Sequence, residues 1–206
     1  MKFDDFYTSK ENYFSQGHSE GMAECLENYH VVPCDAIDIG AGEGRNSIYL
    51  AAIGFRVVAV EPSVVGVNKI RAKSKQFGLG ITIENDYFLN VSKKYNNIGF
   101  ALALTSLEHM EFDNLQDTIS EIKRLLAPGG YIYAMVFTED DPGFNKDTIN
   151  SSECALFIKH YFKKEELRRY FHDFDILVYK EYMKEDTRHG PLHYHGKAKL
   201  FARKRL

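Results

Sequence analysis

Two spacings of apolar residues alternate along the chain from about residue 35 to residue 137. One is a short apolar or β-branched run, which is typical of a strand buried on both faces. The other repeats every three to four residues, as on one side of a helix. Strands and helices that alternate in this way predict a parallel sheet covered by helices. The five strands predicted here are Ala36–Ile39, Arg56–Val60, Ile81–Glu84, Ile98–Leu104 and Tyr131–Phe137.

Start and stop signals mark the helices between these strands. Ser63 can cap the helix that follows the second strand. Asp113 with Gln116 forms a capping-box pattern ahead of a strongly amphipathic helix, which Pro128-Gly129-Gly130 is predicted to end.

The regular alternation stops after residue 137. A polar loop follows, and then helices are predicted near 152–160 and 163–171 and strands over 175–179 and about 192–202. The whole pattern predicts an α/β fold: a three-layer sandwich with a seven-stranded, mostly parallel sheet and helices on both faces. Ligands of such sheets bind at the carboxyl ends of the strands, near the point where the strand order reverses.

Composition and charge exclude several classes of protein. A net charge of −3 argues against binding to nucleic acid through bulk charge. The longest apolar run, Tyr131–Phe137, is far shorter than the roughly 20 residues of a membrane span, and the first residues lack the apolar core of a secretory signal. Three cysteines, Cys25, Cys34 and Cys154, form no Cys-x-x-Cys pair, which fits reduced thiols. We therefore expect a cytoplasmic protein without membrane or nucleic-acid partners; its oligomeric state stays open.

A glycine-rich loop joins the first strand to the next helix. Asp38 is followed by glycines at 40, 42 and 44, which let a backbone turn tightly and approach a ligand closely. The dinucleotide fingerprint G-x-G-x-x-G would need glycine at position 45, where the chain has Arg45. The loop therefore favours a ligand other than a dinucleotide.

Acidic residues stand at three consecutive strand ends. Asp38 lies at the end of the first strand, Glu61 closes the second and Asp86 follows the third. Glu61 lies 19 residues after Gly42, where a carboxylate can accept hydrogen bonds from both hydroxyls of a ribose. Asp86 is placed to accept a hydrogen bond from an adenine amino group. The spacing predicts a nucleoside site.

These motifs together resemble the Rossmann-like (class I) S-adenosylmethionine-dependent methyltransferases. The resemblance covers roughly residues 30–140 and includes the run Leu125–Gly130. Within that class, Gly44–Leu50 and Gly190–Gly196 resemble the tellurite-resistance (TehB-type) methyltransferases.

The resemblance implies a role for each matching residue. The loop from Asp38 to Gly44, with Gly40 and Gly42, would wrap the methionine end of S-adenosylmethionine, the implied cofactor. Glu61 would hold the ribose. The remaining implied contacts are Pro62 and Phe88 flanking the adenine, Asp86 and the Tyr87 backbone at the adenine edge, and the Thr105 carbonyl at the cofactor amine.

One domain of 206 residues is expected, because no linker, repeat or low-complexity segment interrupts the chain. Residues 1–30 would form an N-terminal cap or lid, 31–140 the cofactor-binding half and 141–206 the substrate-side half. The aromatic residues of the first segment either pack as a structural cap or close over the cofactor and exclude water: Phe3, Phe6, Tyr7, Tyr13 and Phe14.

Methyl transfer from a sulfonium is an in-line displacement, so alignment is the enzyme's main task. A neutral acceptor would need a general base, whereas an anion or a thiolate would not. The candidate groups are His109, Arg188, His189, His193 and His195. His193 and His195 also alternate with apolar residues, and this pattern equally fits a half-buried strand with a polar face. No metal is expected, since the tail histidines have no cysteine partner.

The predicted function is methyl transfer to a small-molecule acceptor, such as a tellurite or selenite oxyanion, a thiol or a small metabolite. Arginine and histidine beside the methyl group could bind an oxyanion. Two alternatives stay open. One is a dinucleotide-dependent oxidoreductase, and the other is a non-catalytic cofactor-binding or RNA-binding module, for which the basic end Ala202–Arg205 is the indication.

Overall fold

A single seven-stranded sheet forms the centre of the computed structural model, which describes residues 2–9, 17–145, 155, 157–187 and 191–206. Its strand order is β3-β2-β1-β4-β5-β7-β6. The strands are β1 (Asp35–Ile39), β2 (Arg56–Val60), β3 (Ile81–Glu84), β4 (Ile98–Leu104), β5 (Leu126–Phe137), β6 (Phe174–Asp186) and β7 (His193–Lys204). The helices are α1 (Lys2–Ser9), α2 (Glu20–Asn28), α3 (Arg45–Ala52), α4 (Val64–Gln76), α5 (Phe88–Val91), α6 (Phe112–Leu125) and α7 (Glu166–Tyr170).

The first five strands run parallel, and β7 lies antiparallel between β5 and β6. This arrangement confirms the predicted mostly parallel sheet, and β2, β3 and β4 have the predicted bounds. β1 pairs with β2 on one side and with β4 on the other. The strand order therefore reverses at β1, which places a ligand crevice at the carboxyl ends of β1 and β4.

Apolar side chains cover both faces of the sheet. On one face Leu115 and Ile119 of α6 are buried against the sheet, with Phe88 of α5. On the other face Met22 of α2 and Leu50 of α3 are buried in a separate cluster. Helices on both faces confirm the three-layer Rossmann-like sandwich. Among the described helices, none combines the length and the apolar character that a bilayer crossing requires.

Several predicted element boundaries were wrong. No capping box forms, because Glu111 is the N-cap of α6 and makes no side-chain capping bond. That helix ends at Leu125 rather than at Pro128-Gly129-Gly130, since Leu126 already pairs with Ile98 of β4. The pairing of a neighbouring strand thus ends the helix before its local stop signal does.

The C-terminal strands are longer than the alternation predicted. β6 begins at Phe174 and continues to Asp186, because nearly all of its residues find a partner on β7. The helix predicted over 163–171 is shorter and is α7. Most of the helix predicted near 152–160 lies outside the described residues, and residues 158–160 are not helical.

Candidate active site

One pocket of about 1090 Å³ opens at the carboxyl ends of the parallel strands and extends along β6 and β7. This volume is slightly larger than the roughly 300–1,000 Å³ of typical small-molecule sites. One end is formed by the loop after β1 and by the ends of β2 and β4. The other end is formed by side chains of β5, β6 and β7.

The glycine loop after β1 lies tightly against its neighbours. Gly40 has a φ of 70°, and a Cβ at this position would lie 2.5 Å from Cβ of Ser106. Gly42 has a φ of 59°, and a Cβ there would lie 3.0 Å from the Tyr7 hydroxyl. Glycine is therefore required at both positions for the backbone conformation and for the close approach. Gly44 is the N-cap of α3 and packs against Ile70, away from the pocket lining.

The Glu61 carboxylate closes β2 and lines this pocket while being only 4% exposed. The Gly42 N–H donates to its Oε2 at 2.7 Å, and the Ser63 N–H donates to its Oε1 at 2.8 Å. Each oxygen keeps a further lone pair, so the carboxylate can still accept hydroxyl groups of a ligand. Burial raises the pKa of Glu61 to about 7, against the opposing effect of the two N–H donors.

Asp38 lies at the bottom of the same end of the pocket. Its side chain is buried, and the Ser47 hydroxyl of α3 donates to its Oδ2 at 2.6 Å. Burial raises the pKa of Asp38 to about 6. Two buried carboxyl groups with raised pKa values therefore face the end of the pocket formed by the glycine loop.

Of the residues predicted to contact an adenine, all but Asp86 line the pocket. Pro62, Tyr87 and Phe88 line the pocket, and Phe88 is buried beside the end of β2. Asp86 does not line it. One Asp86 oxygen accepts hydrogen bonds from the Tyr87 N–H and from the Asn90 amide, both at 2.7 Å, and the residue is half-buried outside the pocket lining.

Thr105 and Ser106 follow β4 at the centre of the pocket. Thr105 has a positive φ of 50°, and its N–H donates to the Met135 carbonyl at 2.7 Å, so its own backbone is turned sharply. Within the described residues, the buried Ser106 hydroxyl has no hydrogen-bond partner. A buried hydroxyl of this kind is costly unless a ligand or water satisfies it. Ser106 is not predicted as a site residue, because a lone serine after a strand carries no motif in the sequence.

Helix α1 forms part of the wall of the pocket. Phe3 and Tyr7 line it, and the Phe3 ring lies edge-on to the His109 ring at 4.8 Å. The Ser63 hydroxyl donates to Asp4, which attaches α1 to the N-terminus of α4. These contacts fit both expectations for this segment, a structural cap and a lid.

His109 lies on the pocket wall with one ring nitrogen engaged. Its Nδ1 is 3.1 Å from the Phe157 carbonyl, an acceptor, so Nδ1 carries the proton in the neutral ring. Burial lowers the pKa of His109. The neutral imidazole has an unprotonated Nε2, which is the form that can accept a proton.

Cationic side chains of β6 and β7 line the far end of the pocket. The strand register pairs Lys180 with Lys199, and Lys184 with His195, on one face of the sheet. Lys197, opposite Tyr182, is buried and lies 5.1 Å from the Phe137 ring centre. In the sequence, His193, His195, Lys197 and Lys199 alternate with Leu192, Tyr194, Gly196, Ala198 and Leu200, which predicts a half-buried strand and by itself no role for the lysines. The spacing of two residues between Lys197 and Lys199 could have suggested a role in the site, because it places both side chains on one face of a strand.

Both ring nitrogens of His195 are engaged. Its Nδ1 is 3.1 Å from Oδ2 of Asp141, and its Nε2 is 3.1 Å from Nε2 of His193. Burial lowers the pKa of His195, and the Asp141 hydrogen bond acts in the opposite direction. His193 is buried behind His195 and does not line the pocket.

The structure thus brings together most of the predicted site and separates some of it. Arg188 and His189 lie outside the described residues. Gly44, Asp86 and His193 are beside the pocket but not in its lining. The predicted cofactor and catalytic residues that line it are Asp38, Gly40, Gly42, Glu61, Pro62, Tyr87, Phe88, Thr105, His109 and His195.

The fold and the position of this pocket define a class of α/β domain, the Rossmann-like methyltransferase fold. A crystal structure described as TehB from Haemophilus influenzae superposes with a TM-score of 0.78 and 22% identity, over 98% of this chain and 67% of that one. A structure of a 1,6-didemethyltoxoflavin N1-methyltransferase from Burkholderia thailandensis, with 1,6-didemethyltoxoflavin and S-adenosylhomocysteine bound, has a TM-score of 0.69 and 20% identity. It covers 98% of this chain and 84% of that one.

The chain belongs to the TehB family. The sequence model of that family, described as "Tellurite resistance protein TehB", matches residues 1–193. The probable S-adenosyl-L-methionine-dependent methyltransferase TehB of Haemophilus influenzae is 26% identical over 185 residues, which are 87% of this chain and 60% of the relative. Hemagglutinin 1 of Eikenella corrodens is 25% identical over 86% of this chain and 57% of its own length. The chain therefore spans about three fifths of these relatives.

Proposed function

We propose that this protein transfers a methyl group from S-adenosylmethionine to a small anionic acceptor, of which tellurite and selenite are the first candidates. The observation that carries the proposal is the two-ended pocket, with a glycine loop and Glu61 at one end and cationic side chains at the other. A nucleoside at the first end would lie next to an anion at the second. Family membership and the curated TehB relative, named as a methyltransferase, support this assignment.

The residues at the first end fit the cofactor. Glu61 has lone pairs left for the two ribose hydroxyls, and the Ser106 hydroxyl is buried without a partner in the described chain. A side chain at Gly40 or Gly42 would collide with Ser106 or Tyr7, which line the same pocket. A ligand that needs a close backbone approach and several polar contacts therefore suits this end of the pocket.

The protein's own part in the reaction is to bind, orient and exclude water. When bound, S-adenosylmethionine supplies a methyl group on a positively charged sulfur. Glu61 would hold the sugar, and Phe3 and Tyr7 of α1 would keep water out. Lys197, with the neighbouring lysines of β6 and β7, would attract and align an anion.

An anionic acceptor is favoured over a neutral one by the charges at its end of the pocket. An anion brings its own lone pair, so no group must remove a proton from it. The lining on β6 and β7 includes four lysines, Lys180, Lys184, Lys197 and Lys199, and two carboxyl side chains, Glu185 and Asp186, so cations are in the majority on these two strands. A neutral amine or alcohol would place no negative charge near these cations, and His109 would have to act as its base.

Two experiments test the proposal. Calorimetric titration with S-adenosylhomocysteine should give heat, and titration with NAD should give none; the reverse would favour the oxidoreductase alternative. A panel of tellurite, selenite, thiols, small acids and amines, assayed with labelled methyl donor, should then show transfer to an anion. Transfer only to neutral amines would contradict the proposed acceptor class.

A further inference from the structure

We infer that Asp141, His195 and His193 together hold one proton more than a carboxylate and two neutral imidazoles carry, so that an imidazolium ring, paired with the Asp141 carboxylate, lies at the acceptor end of the pocket. Asp141 is then a positioning residue that acts through His195. The proposed consequence, selection of an anionic acceptor, rests on the proposed function. The physical basis of the inference is the hydrogen-bond geometry alone.

The three side chains are connected one after another by contacts within hydrogen-bond distance. The Pro191 carbonyl is 2.7 Å from Nδ1 of His193, and Nε2 of His193 is 3.1 Å from Nε2 of His195. Nδ1 of His195 is 3.1 Å from Oδ2 of Asp141. All three side chains are at most 3% exposed. Asp141 is itself held by the Gly143 N–H at 2.8 Å and the Gly196 N–H at 3.2 Å.

Counting protons along this series gives the charge. A carbonyl oxygen only accepts, so Nδ1 of His193 must carry a proton. The contact between the two Nε2 atoms needs one proton, and the contact between His195 and Asp141 needs another. Three protons are required, whereas two neutral imidazoles supply two. The third proton makes one ring an imidazolium, which the Asp141 carboxylate balances.

The same geometry changes the role of His195. Neither of its nitrogens is available to take a proton from an acceptor without breaking a contact to Asp141 or His193. His195 therefore contributes charge to the pocket wall instead of acting as a general base. A base would make activity rise with pH, whereas a required cation makes activity fall as pH rises.

Charged groups around the series act on the shared proton. Lys197 repels it, and the Glu108 carboxyl, fully buried, carries little charge at neutral pH because burial raises the pKa of Glu108 to about 8. Tyr161 lies near both Glu108 and Asp141. Among the described residues, the titratable groups that face the series include Glu108 from the turn after β4, Tyr161 from the segment before α7, Lys184 and Asp186 opposite on β6, and Lys197 on β7.

Nitrogen-15 NMR of the histidine rings tests the proton count without any assay of activity. In the full chain at the acid end of a titration from pH 5.5 to 8, we expect three protonated ring nitrogens shared by His193 and His195. Asp141→Asn should shift the loss of the third proton to lower pH. A wild-type protein with one proton on each ring throughout the titration would overturn the inference, as would an unchanged midpoint in Asp141→Asn.

His193→Gln is the second variant, because it preserves a hydrogen bond without the charge. The glutamine amide N–H can donate to Nε2 of His195, which leaves a neutral ring still bonded to Asp141. With selenite as acceptor, wild-type kcat/KM should fall about tenfold per pH unit above the midpoint, the slope of one proton. His193→Gln should be at least fivefold slower on the acid side and lose this slope, with unchanged affinity for S-adenosylhomocysteine.

The two lines of evidence separate the two proposals. If no acceptor is methylated, the proposed function fails, and NMR still decides the proton count. If selenite is methylated with a rate that rises with pH through the same range, the role of the three-residue series as a cation is refuted while the enzyme stands.

Discussion

Replacement of Glu61 by glutamine tests the nucleoside end of the pocket most directly. The carboxylate is buried, and its two oxygens accept the Gly42 and Ser63 N–H groups at 2.7 and 2.8 Å. Glutamine keeps the volume but loses the charge. It also turns an NH2 group toward one of the two backbone donors, which then has no acceptor.

The size of the effect follows from the bonds that are lost. A hydrogen bond to a charged acceptor contributes about 1.5 to 3 kcal/mol, and each 1.4 kcal/mol is a factor of about ten in affinity. One ribose hydroxyl bond weakened to this extent predicts that S-adenosylhomocysteine binds about 10- to 150-fold more weakly to Glu61→Gln. The unpaired N–H should also lower the free energy of unfolding by about 1 to 3 kcal/mol.

Isothermal titration calorimetry measures the affinity, and thermal unfolding followed by circular dichroism checks that the variant is folded. Glu84→Gln is the matched control, because Glu84 ends β3 at the same edge of the sheet and binds Lys94 and Tyr95 outside the pocket. A folded Glu61→Gln protein whose affinity is within twofold of wild type would refute the role of Glu61.

The raised pKa of Glu61 predicts how cofactor affinity depends on pH. In the free protein this pKa is about 7, and hydroxyl donors from a ribose favour the ionised form, so binding lowers the pKa and releases a proton. Affinity for S-adenosylhomocysteine should therefore be constant well above pH 7 and weaken as pH falls below 7. Calorimetry at several pH values measures this, and the dependence should be smaller in Glu61→Gln; stronger binding at acid pH would contradict it.

Three further variants examine other parts of the pocket. Gly40→Ala should bind S-adenosylhomocysteine at least about tenfold more weakly in calorimetry, because φ is 70° and the new Cβ would lie 2.5 Å from that of Ser106. Gly78→Ala is the control: φ is 64° but the space around it is open, so the variant should lose only about 1 kcal/mol of stability and bind normally. Lys197→Met should lower kcat/KM for selenite roughly tenfold without weakening cofactor binding, and a loss of cofactor affinity instead would argue against its role at the acceptor. Phe3→Ala should speed dissociation of S-adenosylhomocysteine in stopped-flow experiments if α1 is a lid, whereas an unchanged rate would favour a structural cap.

The sequence alone determined the succession of the seven strands and most of the residues that line the first end of the pocket. Each of these features depends on residues close together in the chain. A buried parallel strand such as β4 is an apolar run in any context, and a glycine loop between a strand and a helix lies at a predictable edge of the sheet. The spacing from Gly42 to Glu61 spans one strand–helix–strand unit, and this local spacing is enough to place Glu61 beside the loop.

Tertiary structure decided the contacts between distant segments. Asp141 lies in a polar loop and His195 lies 54 residues later, and only the insertion of β7 between β5 and β6 brings them together. Asp86 lies outside the pocket lining, and the nearby Asn90 amide donates a hydrogen bond to its carboxylate. Whether the alternating tail is a half-buried strand or a charged pocket wall depends on which strand lies opposite. Nothing in a periodic pattern specifies that neighbour, because a period of two describes the faces of one strand and not the partner across the sheet.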